Sequence, residues 1–194
     1  AIAETGLIDF ADIDTGHCWG APSYVPNSYY PNAEHREAGK AAKADLSDLD
    51  KKVAIMFTGR VNDPVVAEEL IKGGYCDLVG MVRAGIADPE FAIKAREGRL
   101  NEIRRCIACT RCIDEASESL YIPYTPVCSI NPVIGNELRW EKEYTPAARP
   151  KRVVVVGGGL AGCEAARIAA QRGHKVSLLE QGKRLGGQLL IASK

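Results

Sequence analysis

No run of apolar residues in this chain approaches the ~20 that a membrane-spanning helix needs, and no secretory signal pattern opens it. Charge of one sign is missing too: 25 Lys plus Arg stand against 25 Asp plus Glu, a formal net charge of zero. That balance gives no electrostatic footprint for nucleic acid or an anionic membrane surface. Basic residues gather only locally, at Arg104, Arg105 and Arg111, where they read as a solvated face or as compensation for nearby anionic thiolates. A disulfide framework is also lacking. The seven cysteines are an odd number and four of them crowd one segment, which points to thiols kept reduced in a cytoplasm. Cys18 stands apart, and Cys76 and Cys163 read as small buried apolar residues.

What is present begins with those four cysteines. Cys106, Cys109, Cys112 and Cys128 form the pattern Cys-x2-Cys-x2-Cys-x15-Cys. A [4Fe–4S] cube needs four soft ligands converging on one point, and a short looping run supplies three while a later residue closes the site. Structural zinc also takes four cysteines, but usually as two separated Cys-x2–4-Cys pairs. Three ligands in one tight run favour the iron–sulfur reading. Pro126 before Cys128 and Asn131-Pro132 after it help set a turn there.

Two different patterns flank this segment. Before it come three strand-then-helix units: apolar runs at Leu7–Ile13, Lys52–Thr58 and Asp77–Val82. The middle run is nearly continuous in its apolarity, as a strand buried on both faces would be. Asp63-Pro64 and Asp88-Pro89 each predict a helix start, with Asp as N-cap and Pro at the first helical position. Gly73-Gly74 and Gly98 are the matching stops. Between the first two units lies a loop, Cys18–Asn32, with Trp19, Tyr24, Tyr29 and Tyr30. Its aromatics either pack the loop or form a cage for an alkylammonium group. Repeating units of this kind predict a parallel sheet, although three cannot close a barrel and would leave strand edges unpaired. Residues 136–150 are polar with two prolines and read as a linker.

After the linker, Val153–Val156 reads as a strand, Leu160–Arg172 as a helix and Lys175–Glu180 as a second strand. The strand runs into Gly157-Gly158-Gly159-Leu160-Ala161-Gly162, a Gly-x-Gly-x-x-Gly dinucleotide fingerprint. Gly157 permits the tight turn, Gly159 lets backbone approach a pyrophosphate, and Gly162 lets helix and strand pack closely. The diphosphate would sit at the helix N-terminus, where free N–H groups favour negative charge. Glu180 ends the next strand about twenty residues on, placed for a ribose hydroxyl.

At the carboxyl ends of the second and third strands stand Gly59-Arg60 and Val82-Arg83, and at the end of the first stands His17. Arg60 and Arg83 could clamp a phosphate bidentately or be surface ion-pair partners. His17 is a candidate substrate-facing residue on that same edge.

Taken in order, Phe57-Thr-Gly-Arg-Val-Asn-Asp-Pro, Cys76-Asp-Leu-Val-Gly-Met-Val-Arg, Cys106-Ile-Ala-Cys-Thr-Arg-Cys, Cys128-Ser-Ile-Asn-Pro, Val154-Val-Val-Gly-Gly-Gly-Leu-Ala-Gly and Leu185-Gly-Gly-Gln-Leu resemble the iron–sulfur flavoproteins of the Old Yellow Enzyme class. That class includes 2,4-dienoyl-CoA reductase, 2-enoate reductase and the tri- and dimethylamine dehydrogenases. The resemblance implies an α/β protein in three parts. Residues 1–100 would be the last three units of an FMN-binding (β/α)8 barrel, 101–135 an iron–sulfur segment, and 151–194 the start of a Rossmann-like FAD/NAD(P)-binding domain after a 136–150 linker. It implies FMN phosphate at Arg60 and Arg83 with the backbone of Gly59 and Val82, a [4Fe–4S] cluster on the four cysteines, and FAD, or ADP in the amine-oxidising branch. The nucleotide would lie at Gly157, Gly159, Ala161, Gly162, Glu180, Gly187 and Gln188.

The expected reaction is NAD(P)H-dependent reduction of an activated C=C bond on a small molecule by hydride from FMN, with electrons relayed through the cluster and FAD. The rival within the class is oxidative demethylation of a small amine. His17 stands nearest to where the amine dehydrogenases carry an acidic residue, with Asp14 close by. The cluster's third cysteine is spaced as in the amine dehydrogenases, and its fourth is spaced more widely than in either branch. A rival outside the class is a non-enzymatic cluster- and nucleotide-binding module. Ala1 in place of Met, and a last residue, Lys194, close after the second strand of the nucleotide unit, predict an internal segment of a longer protein. A homo-oligomer or a separate electron-transfer partner fits the class.

Overall fold

The computed structural model describes residues 2–17, 23–49, 51–118 and 126–192. They fall into two compact units, Ala1–Gly135 and Asn136–Lys194.

The first unit is built on three parallel strands in the order β1-β2-β3, namely Phe10–Ile13, Ala54–Thr58 and Leu78–Gly80. Phe10 pairs with Ala54, and Met56 with Leu78. Helix α1, Arg36–Asp45, lies between β1 and β2 in the chain, and α2, Pro64–Lys72, between β2 and β3. One face of β2 is sealed: Ile55 and Phe57 are wholly buried against Ala33, Val61, Cys76 and the α2 residues Ala67 and Leu70. Each such side chain contributes about 1.5–3 kcal/mol. Met56 and Thr58, on the other face, are half-buried. The strand is therefore sealed on one side only, where its near-continuous apolarity predicts two. In α1, Gly39 is required: a Cβ there would stand 2.7 Å from the Tyr75 carbonyl oxygen.

Asp63 caps α2 as its sequence predicts, its carboxylate accepting the Val65 amide at 3.0 Å with Pro64 at the first position. The second Asp-Pro pair behaves differently. Val82–Ala87 is a short helix, α3, where a strand end was expected, and Asp88 is its C-cap. The next helix, α4, starts at Phe91 with Glu90 as N-cap. Asp88 does not cap α4 because its side chain is a buried junction. Its Oδ1 accepts the Glu90 amide at 3.1 Å and Lys94 Nζ at 3.0 Å. Its Oδ2 accepts Lys94 Nζ at 2.8 Å and the Arg104 amide at 2.9 Å. A second buried polar group, Asn131, donates to the Ile86 carbonyl at 2.7 Å and accepts the Val133 amide at 3.1 Å. The end of α3 thus holds both flanks of the cysteine segment, one through Asp88 and the other through Asn131. Strand β1 is shorter than the apolar run that predicts it, and Leu7 lies exposed.

In the second unit β4, Arg152–Val156, and β5, Lys175–Leu179, are parallel neighbours with α7, Leu160–Gln171, packed on both. The stretch 136–150 is not structureless. It carries a helix, α6, Glu137–Glu143, in which Trp140 stacks on Tyr144 with ring centroids 4.1 Å apart. Its end is tied to α7, since the Ala147 amide donates to the Arg172 carbonyl at 2.8 Å. The polar composition that suggested a linker is that of a short, solvent-facing helix. A last short helix, α8, spans Leu189–Ala192.

Candidate functional site

The carboxyl ends of β2 and β3 open on one cavity of about 120 Å3. Gly59, Arg60, Val82 and Arg83 all line it, with Asp14, Tyr24 and Asn62. Gly59 has φ +155° and Arg60 has φ +46°. A non-glycine residue in left-handed backbone is uncommon, and such strain gathers at functional positions. The strands meet closely beside the cavity. A Cβ on Gly80 would collide with the Thr58 hydroxyl, which donates to Asp12 Oδ1 at 2.8 Å.

The two guanidinium groups differ in their partners. Arg83 Nη1 donates to the Pro26 carbonyl at 2.7 Å. Arg60 Nε is buried with no acceptor. Burial, and after it the Arg83 charge, depress the Arg60 pKa. Two cations facing one cavity, with an unsatisfied N–H on one of them, suit an anion of two charges that can accept several hydrogen bonds.

A second, smaller cavity adjoins. Cys106, Cys109, Cys112 and Cys128 line it together, so the structure brings all four predicted ligands around one space. The run that carries three of them turns sharply, with Ala108 at φ +52° and Thr110 at φ +61°. Left-handed backbone at a β-branched residue is a rare conformation that costs on the order of 1–3 kcal/mol. It allows thiols three residues apart to face the same way before α5, Arg111–Glu118, begins. The Ala108 amide donates to Cys106 Sγ at 3.3 Å, and Cys109 Sγ lies 3.3 Å from the Ser129 hydroxyl. Burial opposes ionisation of Cys109, but the Ser129 hydroxyl, the Arg111 amide and the Arg111 charge outweigh it and lower its pKa. Cys112 is pushed up by burial and by the neighbouring Cys106 and Cys128, with Arg83 pulling the other way.

Among the described residues no group of three or more His, Cys, Asp or Glu stands close enough to grip a single ion. A zinc ion would draw its sulfurs to ~3.8 Å of one another at Zn–S ≈ 2.3 Å. A cube of iron and sulfide spreads its four thiolates over a wider tetrahedron. The donor set, four soft sulfurs around one space, fits such a cluster.

Two contacts tie the loop after β2 to the start of the cysteine run. The Asn62 side-chain amide donates to the Cys106 carbonyl. Arg105 pairs with Asp63, the cap of α2, at 2.6 Å. Neither was foreseen. Asn62 lies 44 residues from Cys106, and nothing local announces the contact.

In the second unit the fingerprint adopts the conformation its residues suggest. Gly157 has φ +96°, and a Cβ on Gly162 would collide with the Gly157 carbonyl oxygen. Gly187 packs so close that a Cβ there would stand 3.1 Å from Gly159 Cα, and the Gly186 amide donates to the Gly158 carbonyl at 2.8 Å. Gly187 and its neighbour Gln188 therefore border the same loop. Glu180 accepts the Gly182 amide at 2.7 Å and the Gly158 amide at 2.6 Å, and these bonds lower its pKa. Its carboxylate is thus fixed at the rim of the loop.

His17 is exposed and does not line the first cavity, whereas Asp14 does. The aromatic loop does not gather into a cage among its described residues. Tyr24 lines the cavity, Tyr29 is 93% exposed, and Tyr30 faces the His35 ring. Trp19 and Cys18 lie outside the described residues.

A parallel βαβ unit with a dinucleotide fingerprint, and a cation-lined cavity beside four thiols, are features that redox proteins carry. Comparison with known proteins agrees. Residues 127–190 match the family model described as Pyridine nucleotide-disulphide oxidoreductase. The chain is 36% identical over 195 aligned positions to an N,N-dimethylglycine/sarcosine dehydrogenase of Chromohalobacter salexigens, covering 98% of this chain and 27% of that one. It is 32% identical to a multifunctional alkene reductase/demethylase OYE of Caballeronia cordobensis, covering 97% and 27%. Among solved structures, the 6-hydroxypseudooxynicotine (6-HPON) amine oxidase (HisD) of Pseudomonas geniculata N1 aligns with a TM-score of 0.78 at 28% identity, over 97% of this chain and 28% of that one. The chain is thus similar to oxidoreductases of the Old Yellow Enzyme and amine dehydrogenase type, and spans about a quarter of the length of the curated relatives it matches. No helix among the described residues is long and apolar enough to cross a membrane.

Proposed function

We propose that this chain is the cofactor-holding middle of an iron–sulfur flavin oxidoreductase that reduces an activated C=C bond with electrons from NAD(P)H. One observation supports this above the others: the cation-lined cavity at the ends of β2 and β3 and the four-cysteine cavity share a wall, with Arg83 and Cys106 lining both. A flavin whose phosphate sits in the first would lie beside a cluster in the second. Arg60 and Arg83, with the backbone of Gly59 and Val82, would hold the FMN phosphate. Cys106, Cys109, Cys112 and Cys128 would hold a [4Fe–4S] cluster. Gly157, Gly159, Ala161, Gly162, Glu180, Gly187 and Gln188 would hold FAD. When bound, FMN supplies hydride chemistry and the cluster one-electron transfer. In this reading residues 1–100 are the phosphate-binding end of a (β/α)8 barrel, and 151–194 open a Rossmann-like domain. A homo-oligomer and a cytoplasmic setting complete the proposal.

Oxidation of a small methylated amine is the second reading. The dehydrogenase of N,N-dimethylglycine and sarcosine matches nearly the whole chain, and Asp14 brings a carboxylate to the cavity. The alkene reductase/demethylase joins both reactions in one name. The deciding assay follows holoenzyme under anaerobic conditions with NADH or NADPH and an enoate, and separately with a secondary amine and a one-electron acceptor. Nicotinamide oxidation in step with alkene loss supports the first reading. Acceptor reduction by amine without nicotinamide replaces it with the second, and silence in both assays removes the enzyme proposal.

The nucleotide site has its own test. Glu180→Gln keeps the size of the side chain and removes its charge. Loss of the charge on the acceptor weakens its hydrogen bonds and predicts weaker FAD or ADP binding. Titration calorimetry giving equal affinity would remove Glu180 from the site.

A further inference from the structure

Arg83 is the charged side chain that faces both cavities. It stands in the first turn of α3, whose far end is fastened to the cysteine segment through Asp88 and Asn131. One of its terminal nitrogens is spent on the Pro26 carbonyl at 2.7 Å, which orients the guanidinium plane. The rest of the group lies between an anion cavity that already has a second cation, Arg60, and four cysteines of which Cys106 borders both spaces. Of the other arginines of the segment, Arg105 is half-exposed and paired with Asp63 at 2.6 Å, while Arg111 follows Cys109 at the start of α5.

We infer that Arg83 sets the reduction potential of the cluster held by the four cysteines, and that an anion in the neighbouring cavity lowers that potential by drawing on the same guanidinium. This inference rests on the cluster reading above. The physics is that of a fixed charge beside a redox centre. Reduction adds one electron, delivered from flavin or from an external reductant, to a centre already made anionic by four thiolates. A cation at its edge stabilises the reduced form more than the oxidised one and raises the potential. A phosphate on the far side of the same guanidinium offsets part of that field. Flavin binding and cluster potential are then linked, and by thermodynamic reciprocity the flavin phosphate binds more weakly once the cluster is reduced.

The test is an EPR-monitored redox titration of the holoenzyme, with iron and flavin content measured on the same samples. Arg83→Gln is expected to make reduction at least about tenfold less favourable, a negative shift of about 59 mV for one electron. Arg83→Lys keeps the charge and is expected to shift it less. Arg105→Gln is expected to leave it unchanged. A loaded Arg83→Gln protein with the wild-type potential overturns the inference, as does an equal shift in Arg105→Gln. If Arg83→Gln fails to load, wild-type protein stripped of flavin is titrated with and without inorganic phosphate. A negative shift on adding phosphate supports the inference, and no shift overturns it. Wild-type protein without iron or a cluster signal would instead remove the functional reading on which the inference rests.

Discussion

Replacing Cys112 with alanine is expected to abolish iron binding and the visible absorption that accompanies it. Cys112 stands in the first turn of α5 and lines the space shared by Cys106, Cys109 and Cys128. A cube built on four thiolates is much weakened by the loss of one, because water is a poor substitute for the soft anionic ligand. Burial and the nearby thiols push the Cys112 pKa up, and ligation of a cluster would require that thiol to lose its proton. The expected result in quantitative iron and acid-labile sulfide analysis is near-complete loss, with the isolated protein still folded. Wild-type iron content in Cys112→Ala would remove Cys112 from the ligand set. Zinc in place of iron and sulfide in wild-type protein would replace the cluster with the alternative that the cysteine count also allows.

The grouping of the cysteines around one space is legible in the sequence because a tight Cys-x2-Cys-x2-Cys run is itself geometric information: three residues apart on a turning chain puts thiols on one side. The dinucleotide loop is legible for the same reason, since the collision that a Cβ at Gly162 would meet is local to the fingerprint. Asp63-Pro64 and Asp88-Pro89 show where such reading stops. Both are Asp-Pro pairs with the local chemistry of a helix start. At Asp63 one carboxylate oxygen takes the Val65 amide while the other pairs with Arg105, so the cap of α2 is kept. At Asp88 a lysine six residues on and a backbone amide sixteen residues on compete for the carboxylate, and the helix begins later. Only the first of those partners is visible as a local pattern. Likewise Arg60 and Arg83 are legible as residues at strand ends, but that they flank one cavity follows from the pairing of β2 with β3. Contacts from Asn62 to Cys106 and from Asn131 to Ile86 belong wholly to tertiary structure.

Asp88→Asn is expected to destabilise the first unit by about 3–5 kcal/mol, the usual cost of breaking a buried pair from one side. The side chains of Asp88 and Lys94 are 3% and 11% exposed. An amide keeps the shape but leaves the buried Lys94 ammonium only the more distant, largely exposed Glu90 carboxylate at 3.5 Å. Urea unfolding of metal-free protein, where bound cofactors do not break two-state behaviour, should show the loss as a lower midpoint with an unchanged slope. The pH dependence has a definite sign. Burial alone would raise the Asp88 pKa, but Lys94 and the amides of Arg104 and Glu90 outweigh it and hold the value below its ordinary position. A depressed carboxylate contributes stability that is complete above its unfolded pKa of about 3.9 and is lost as pH falls through the folded value. Wild-type stability should therefore decline below about pH 4 more steeply than that of Asp88→Asn, and the two curves should converge in acid. Parallel curves would show that the pair carries no such linkage. Changing both partners, Asp88→Asn with Lys94→Met, should recover much of the loss, because no buried charge is then left uncompensated. The double variant would still be expected to load its cluster less completely than wild type. The carboxylate also accepts the Arg104 amide, two residues before the first ligand. An amide side chain facing the same two backbone donors with a single oxygen cannot hold the entry to the cysteine run as firmly.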